Sequence, residues 1–345
     1  RMERLAIKNG VDFMRIEPRI SRNDRDLTLN VEFGLTKGPR IFVERIDIEG
    51  NTTTLDQVVR REFRVVEGDP FNPREIRESA ERIRALGYFA SAEVNAREGT
   101  TPDQVIVDVD VEEQPTGSLQ FGGTYSSSDG FGIVISFDER NFLGRGQRVG
   151  LDLSTAQEAE RYGFRFVEPA ALGRDVAFGL NLDFSEGSSS ATSYDTETIL
   201  FTPSLTFPVS ENGRLRLNYK AENSEIKARS TPENGNVIGN EIALGDQWAS
   251  SLGYLYSYDS RRVGLNPNAG YLFEFGQDFA GLGGDSTFVR TKGKAIAQTR
   301  VWNEEVILRA TLEGGVLSWI SGDNLITDRF LTNTKIIRGF ETGGI

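Results

Sequence analysis

The stretch Val176-Ala177-Phe178-Gly179-Leu180-Asn181-Leu182-Asp183-Phe184-Ser185 has an apolar side chain at every even position and a small or polar one at every odd position. A period of two puts the two sets on opposite faces of a β-strand. The alternation recurs from Ser118 onward. Leu119, Phe121 and Tyr125 oppose Gln120 and Thr124; Phe131, Ile133, Ile135 and Phe137 oppose Gly132 and Ser136; Leu215, Leu217 and Tyr219 oppose Arg216, Asn218 and Lys220. About eleven such segments follow one another, most near the ~9–11 residues that a tilted strand needs to cross a bilayer. Two architectures produce this pattern. A soluble sandwich buries the apolar face between two sheets, whereas a transmembrane barrel turns it to lipid and keeps polar residues inside. Long strands, aromatics near strand ends and connections of alternating length favour the barrel. Ser185–Asp195 and Asn223–Gln247 are expected as long loops, and Glu168–Arg174, Pro208–Gly213 and Asn303–Glu305 as short turns.

The front of the chain is a different object. Of 34 aromatic residues, 7 lie in residues 1–117 and 27 in 118–345, while Gly divides 8 to 29. A boundary near Pro115-Thr116-Gly117 follows. The net charge of −12 argues against nucleic acid as a partner. With no His and no Cys, the chain excludes Ser-His and Cys-His nucleophile pairs, imidazole or thiolate metal sites and disulfides. No cofactor, metal or enzymatic activity is expected. Mean hydropathy is −0.37, and no run approaches the ~20 apolar residues of a membrane helix. Arg1-Met2-Glu3-Arg4-Leu5 has no apolar signal region. A barrel needs no such run, since only every second residue faces lipid.

Residues 40–117 read as β-α-α-β-β. Ile41 to Ile48 is expected as a strand, and Thr54-Leu55-Asp56-Gln57 as a capping box opening a helix whose apolar face is Leu55, Val58, Val59 and Phe63. Arg60-Arg61-Glu62-Phe63-Arg64 falls on that helix. Asn72-Pro73-Arg74-Glu75 opens a second helix with Ile76, Ala80, Ile83 and Leu86 as its buried stripe and Gly87 as its stop. Ser91 to Ala96 and the alternating Val105, Val107, Val109 and Val111 form a hairpin. Residues 1–39 repeat the back half of this unit: Glu3-Arg4-Leu5 before Gly10 parallels Glu81-Arg82-Ile83 before Gly87, and Leu27, Leu29, Val31 and Phe33 parallel the Val105–Val111 run.

No motif signals catalysis. Gly144-Arg145-Gly146 with Gly150 lacks the spacing of a phosphate-binding loop and reads as a tight turn. Glu112-Glu113 and Asp108/Asp110 read as a solvated strand face. Gly122-Gly123, inside the first strand of the back part, weakens strand pairing.

Several strings resemble the BamA family of outer-membrane assembly proteins, in which POTRA repeats precede a surface-antigen-type barrel. Ile46-Asp47-Ile48-Glu49-Gly50-Asn51 is similar to an opening POTRA strand, and Leu86-Gly87-Tyr88-Phe89 to the end of a second POTRA helix. Asn141-Phe142-Leu143-Gly144-Arg145-Gly146, and Tyr258-Asp259-Ser260-Arg261 with Asn266-Pro267 and Gly270-Tyr271, resemble turns of the family barrel. Ile337-Arg338-Gly339-Phe340 resembles the signature of a long loop folded into the lumen. The resemblance decides for the barrel. It implies α+β POTRA repeats followed by an antiparallel transmembrane β-barrel, with about eleven of sixteen strands present and the chain truncated at both ends. Residues 1–39 are then half a POTRA domain, 40–117 a complete one, and 118–345 the first part of the barrel.

The implied function is insertion and folding of β-barrel proteins into the outer membrane of a Gram-negative bacterium, with the POTRA domains in the periplasm. A strand of an unfolded client carries backbone groups that hydrocarbon leaves unsatisfied. The resemblance implies a lateral gate at the first strand, Leu119, Gln120, Phe121, Gly122, Gly123, Thr124 and Tyr125, which pairs with that client strand. Ser91, Ala92, Glu93 and Val94 are expected on a POTRA sheet edge that captures clients or periplasmic chaperones. Glu62 is a candidate contact for accessory assembly lipoproteins, and outer-membrane lipid surrounds the barrel. Competing readings are a two-partner secretion translocator, a TamA-type assembly factor and a passive porin.

Overall fold

The computed structural model describes residues 14–23, 28–37, 41–126, 130–156, 159–188, 194–228, 237–261, 269–302, 305–322 and 325–330. The chain divides into two compact units, Arg1–Thr116 with Leu143–Gly146, and Gly117–Phe142 with Gln147–Ile345.

The first unit opens with an antiparallel pair, β1 (Met14–Asn23) and β2 (Thr28–Lys37). The helix expected around Glu3-Arg4-Leu5 lies outside the described residues. Then come β3 (Phe42–Glu49), α1 (Asp56–Arg60), α2 (Pro73–Leu86), β4 (Phe89–Glu98) and β5 (Gln104–Glu113). These three strands form one sheet in the order β3-β5-β4, with β3 parallel and β4 antiparallel to the central β5. The helices cover one face. Val58, Val59, Ile76 and Ile83 pack there on Val43, Ile46, Val107 and Val109, and all eight are buried.

The α2 boundaries follow from the residues that cap it. The Asn72 side chain accepts from the Arg74 N–H at 3.0 Å, Pro73 takes the first helical position, and Gly87 ends the helix in the left-handed region at φ 69°. For α1 the sequence expectation fails. Its N-cap is Leu55, with no side-chain cap bond, and Leu55 is exposed. The Thr54 N–H donates instead to Glu113 Oε1 at 2.6 Å, so Thr54 serves β5 and no capping box forms. Within the same unit the Leu55 N–H finds the carbonyl of Gly144 at 2.8 Å. Gly144, at φ 70°, allows this approach, because a Cβ there would sit 2.0 Å from the Thr53 oxygen. The expected tight turn at Gly144-Arg145-Gly146 is thus present and its glycine is required.

The second unit is one antiparallel sheet of eleven strands in chain order: β6 (Gly117–Ser126), β7 (Gly130–Phe142), β8 (Gln147–Ala156), β9 (Ala159–Glu168), β10 (Ala177–Ser188), β11 (Tyr194–Pro208), β12 (Gly213–Ala228), β13 (Gln247–Asp259), β14 (Gly270–Gly284), β15 (Ser286–Val301) and β16 (Val306–Gly322). A short helix, α3 (Val237–Ala243), lies between β12 and β13. The register aligns like with like. Phe121, Ile135, Leu153, Tyr162, Phe184 and Ile199 form one row across six strands, and Gln120, Ser136, Asp152, Gly163 and Asp183 form the adjacent row on the opposite face. Phe121 is 86% exposed and Leu312 76%. A sandwich would cover such residues with a second sheet; among the described residues none does so, which favours the lipid-facing arrangement.

The connections match the sequence expectation in part. Eighteen residues separate β12 from β13, where Asn223–Gln247 is expected as a long loop, and Pro208–Gly213 is the short turn expected, but only five residues separate β10 from β11, where Ser185–Asp195 is expected as a long loop. Strand pairing takes up the ends of that segment, and β10–β16 run 12 to 17 residues each. Cross-strand hydrogen bonds need no membrane, so a ribbon can continue past the hydrocarbon that first fixed its pattern. Among the described residues, no helix is long and apolar enough to cross a membrane, which says nothing of a barrel.

Candidate functional site

β6 is the end strand of the eleven-stranded sheet. It is paired to β7 over ten residues, from Gly117 with Glu139 to Ser126 with Gly130. Its other side has no partner strand among the described residues. An edge of this kind presents unpaired N–H and C=O groups that can template another strand. Leu119, Phe121 and Tyr125 are exposed, with Tyr125 at 82%. Gly122 and Gly123 have β geometry rather than positive φ. A Cβ at Gly122 would meet nothing within 4 Å, and one at Gly123 would touch the Phe131 ring at 3.5 Å, an ordinary contact. Sterics inside the sheet therefore do not demand glycine at either position. What glycine changes is backbone freedom and the absence of a side chain beside the open edge.

Ser91, Ala92, Glu93 and Val94 lie on β4, an edge of the small sheet, paired to Glu112, Val111, Asp110 and Val109. Ser91 and Glu93 are exposed and Ala92 is buried. The edge is partly occupied, because the Arg84 guanidinium donates to the Ala92 carbonyl at 2.9 Å.

Glu62 does not lie on the first helix. α1 stops at Arg60, and Glu62 follows in a turn, its side chain 19% exposed and its Oε1 3.6 Å from Arg61 Nε. The helix is short because Phe63 and Val65 turn into the core, which ends the helical face early. Ile337, Arg338, Gly339 and Phe340 lie outside the described residues.

Glu113 corrects the reading of Glu112-Glu113 as a solvated face. Its carboxylate accepts from the Thr52 hydroxyl at 2.7 Å and from the N–H groups of Thr53 and Thr54. Burial pushes the carboxyl up, but these hydrogen bonds outweigh it and hold the group at about 2. Thr-Thr-Thr at 52–54 was the available signal, since such residues cradle carboxylates. Among the described residues, no three carboxylates converge as metal ligands.

Residues 141–345 match the family described as the Omp85 superfamily domain, and residues 41–114 match POTRA, the surface antigen variable number repeat. The first match takes in more than half of the chain, which belongs to the Omp85 superfamily. Outer membrane protein assembly factor BamA of Neorickettsia risticii is 28% identical over 344 residues, 98% of this chain and 45% of that protein. The BamA of Nitratidesulfovibrio vulgaris is 26% identical over 341 residues, 97% of this chain and 42% of that protein. The chain thus spans less than half the length of these curated relatives. Among solved structures, BamA from Haemophilus ducreyi lacking POTRA domains 1–3 gives a TM-score of 0.69 at 21% identity, covering 100% of this chain and 70% of that one. CdiB from Acinetobacter baumannii gives 0.59 at 13% identity, covering 99% and 63%. The structures bear on the fold, which both share; the sequence relatives make the likeness BamA-type. The chain is of an outer-membrane protein with periplasmic POTRA domains.

Proposed function

We propose that the protein inserts and folds β-barrel clients into the outer membrane, and that β6 is the strand on which a client strand is templated. The observation that carries this reading is the place of β6 at the end of the sheet, paired with β7 along all ten residues and with no second partner strand among the described residues. The BamA-named relatives along nearly the whole chain support it. A client strand entering hydrocarbon has backbone groups that another strand can satisfy, and an edge strand already held in register on its inner side offers them. No chemical step is assigned to the protein, and the barrel surface works against outer-membrane lipid.

Within this reading, residues 1–39 are half a POTRA domain, 40–117 a complete one, and 118–345 the opening part of a barrel whose lumen loop carries Ile337, Arg338, Gly339 and Phe340. The Ser91–Val94 edge captures clients or periplasmic chaperones, with Ser91 and Glu93 facing them and Arg84 limiting how far a guest strand zips. Glu62 meets an accessory lipoprotein through the turn after α1.

The test is reconstitution of the full-length parent in liposomes, following an unfolded barrel client by protease protection. Protection faster than in empty liposomes is expected. Replacing both Gly122 and Gly123 with Val should slow it several-fold, since neither Cβ clashes within the sheet. No acceleration by the parent, with ion conductance or passage of one dedicated exoprotein instead, would move the reading to a secretion pore.

A further inference from the structure

The three strands at the other end of the large sheet from β6 carry a groove on their apolar face. It has a volume of about 380 Å³ and is lined by Tyr271–Phe273 on β14, Ala295–Ala297 on β15 and Ala310–Leu312 on β16. The register explains its shape. Tyr271 lies opposite Ala297 and Ala297 opposite Ala310, while Phe273 lies opposite Ala295 and Ala295 opposite Leu312. Large side chains on β14 and β16 therefore flank a floor of methyl groups on β15. One row further along, Phe275 faces Gly293 and Gly293 faces Gly314, and a Cβ at either glycine would meet nothing within 4 Å. The Phe275 ring does not close over that end, because it packs the other way, 6.3 Å from the Tyr254 ring on β13. The row from Phe121 to Ile199 across β6–β11, on the same face, has a bulky side chain on every strand.

We infer that this groove is a binding site for one acyl chain of a membrane phospholipid. The apolar face of the sheet is the one that turns to lipid, and the groove opens onto it between Tyr271, Phe273 and Leu312, all of them exposed. Its geometry excludes a protein segment. Adjacent strands lie about 4.8 Å apart, so the β14 and β16 backbones are about 10 Å apart, too close for a helix of ~10–12 Å diameter to settle between their side chains. A guest strand would leave its N–H and C=O groups unsatisfied in hydrocarbon, since β15 is already paired with β14 on one side and β16 on the other. A polymethylene chain has no such groups. From Ala297 to Gly293 the floor extends about 13 Å along the strand, close to half of the ~30 Å hydrocarbon core and so to the depth of one leaflet. Tyr271, next to the first residue of β14, stands at the mouth, where an apolar ring with a wet hydroxyl suits the headgroup boundary. Contacts from two walls and a floor hold a chain better than a flat surface does. The inference needs only the outer-membrane location, so it stands apart from the assembly reading.

The test places the full-length parent in vesicles of dioleoylphosphatidylcholine, transfers it to detergent, and measures the phospholipid retained per protein as the detergent is exchanged. Heat-modifiable migration reads the integrity of the sheet. The parent should keep one phospholipid after the bulk lipid has gone. Ala295→Phe with Ala297→Leu fills the groove and should lower retention about ten-fold, since excluding two methylenes is enough for a factor of that size. Leu153→Phe, which adds bulk elsewhere on the same face, should retain as the parent does. Gly293→Leu blocks the far end of the groove, where a side chain has room, and gives the same reading if the double variant migrates as an unfolded chain. No phospholipid on the parent, or equal retention in the filled proteins, would overturn the site. Slower client insertion by the filled proteins with retention unchanged would assign the groove to a client segment instead.

Discussion

β5 in the first unit and β8 in the second are both ten-residue strands of alternating side chains. Val107 and Val109 on β5 are buried, whereas Leu151 and Leu153 on β8 are about two-fifths exposed. The difference lies in what the chain places between strands. Between β3 and β4 it spends its residues on α1 and α2, which supply Val58, Val59, Ile76 and Ile83 as a cover. Between β8 and β9 two residues intervene, too few to cover anything. Alternation makes a two-faced strand, and the connections determine whether protein or another apolar phase meets the apolar face.

The largest effect should come from cutting the cover of the small sheet. Ile83, on α2, is fully buried against the sheet, so Ile83→Ala should destabilise the first unit by about 2–5 kcal/mol. Urea titration of the full chain in detergent, read by protease cleavage within residues 41–114, measures it. On β8 the neighbouring residues face opposite ways. Leu153→Arg should destabilise the sheet by about 2–4 kcal/mol if its face meets the lipid midplane, whereas Asp152→Asn, losing an exposed pair with Arg165, should change it by about 1 kcal/mol or less. Equal effects at the two positions in a lipid-dependent folding titration would contradict the two-faced sheet.

Where sequence and structure agree, a local rule was sufficient. The strands from β6 to β16 were legible because each carries its own period of two, and α2 because Asn72, Pro73 and Gly87 mark its ends within the helix itself. Where they part, the deciding atom comes from far along the chain. Thr54 resembled a cap until Glu113, fifty-nine residues on, took its N–H. The loops expected after Ser185 and before Asp195 became strand because β10 and β11 stabilise one another there, Ser188 opposite Asp195. Glu241 on α3 and Arg290 on β15 left no trace in any periodicity, since their partners, Ile326 and Asp328, lie beyond β16. The edge of β6 was foreseen as a position; its steric openness at Gly122 is a property of the assembled sheet.

Glu113 gives the comparison a pH dependence, because its cradle belongs to the first unit alone. Its folded value of about 2 lies below the ordinary 4.5. A depressed carboxylate adds stability that is present above about pH 4.5 and is lost as pH falls through about 2. Glu113→Gln should weaken the first unit by about 1–3 kcal/mol near neutral pH, since an acceptor of backbone N–H groups is lost. The same protease-read titration repeated between pH 7 and pH 3 should show a shallower slope in the variant. An identical slope would mean that Thr52–Thr54 does not hold the carboxylate.

The smallest effect separates the two helices that cover the small sheet. α2 has the Asn72 cap and α1 has none. Asn72→Ala should therefore cost about 1 kcal/mol, through the Arg74 N–H that it leaves without its acceptor. At α1 the substitution that matters runs the other way. Leu55 already has extended backbone geometry, φ −65° and ψ 140°, and is exposed, so Leu55→Ser can supply an acceptor to the first turn without disturbing the core. It should stabilise the first unit by about 0.5–1 kcal/mol. Both changes are read by the urea midpoint of that unit, and they should have opposite signs. If Leu55→Ser destabilises instead, the apolar side chain of Leu55 is contributing a contact that outweighs a cap, and the start of α1 is held by packing rather than by hydrogen bonding.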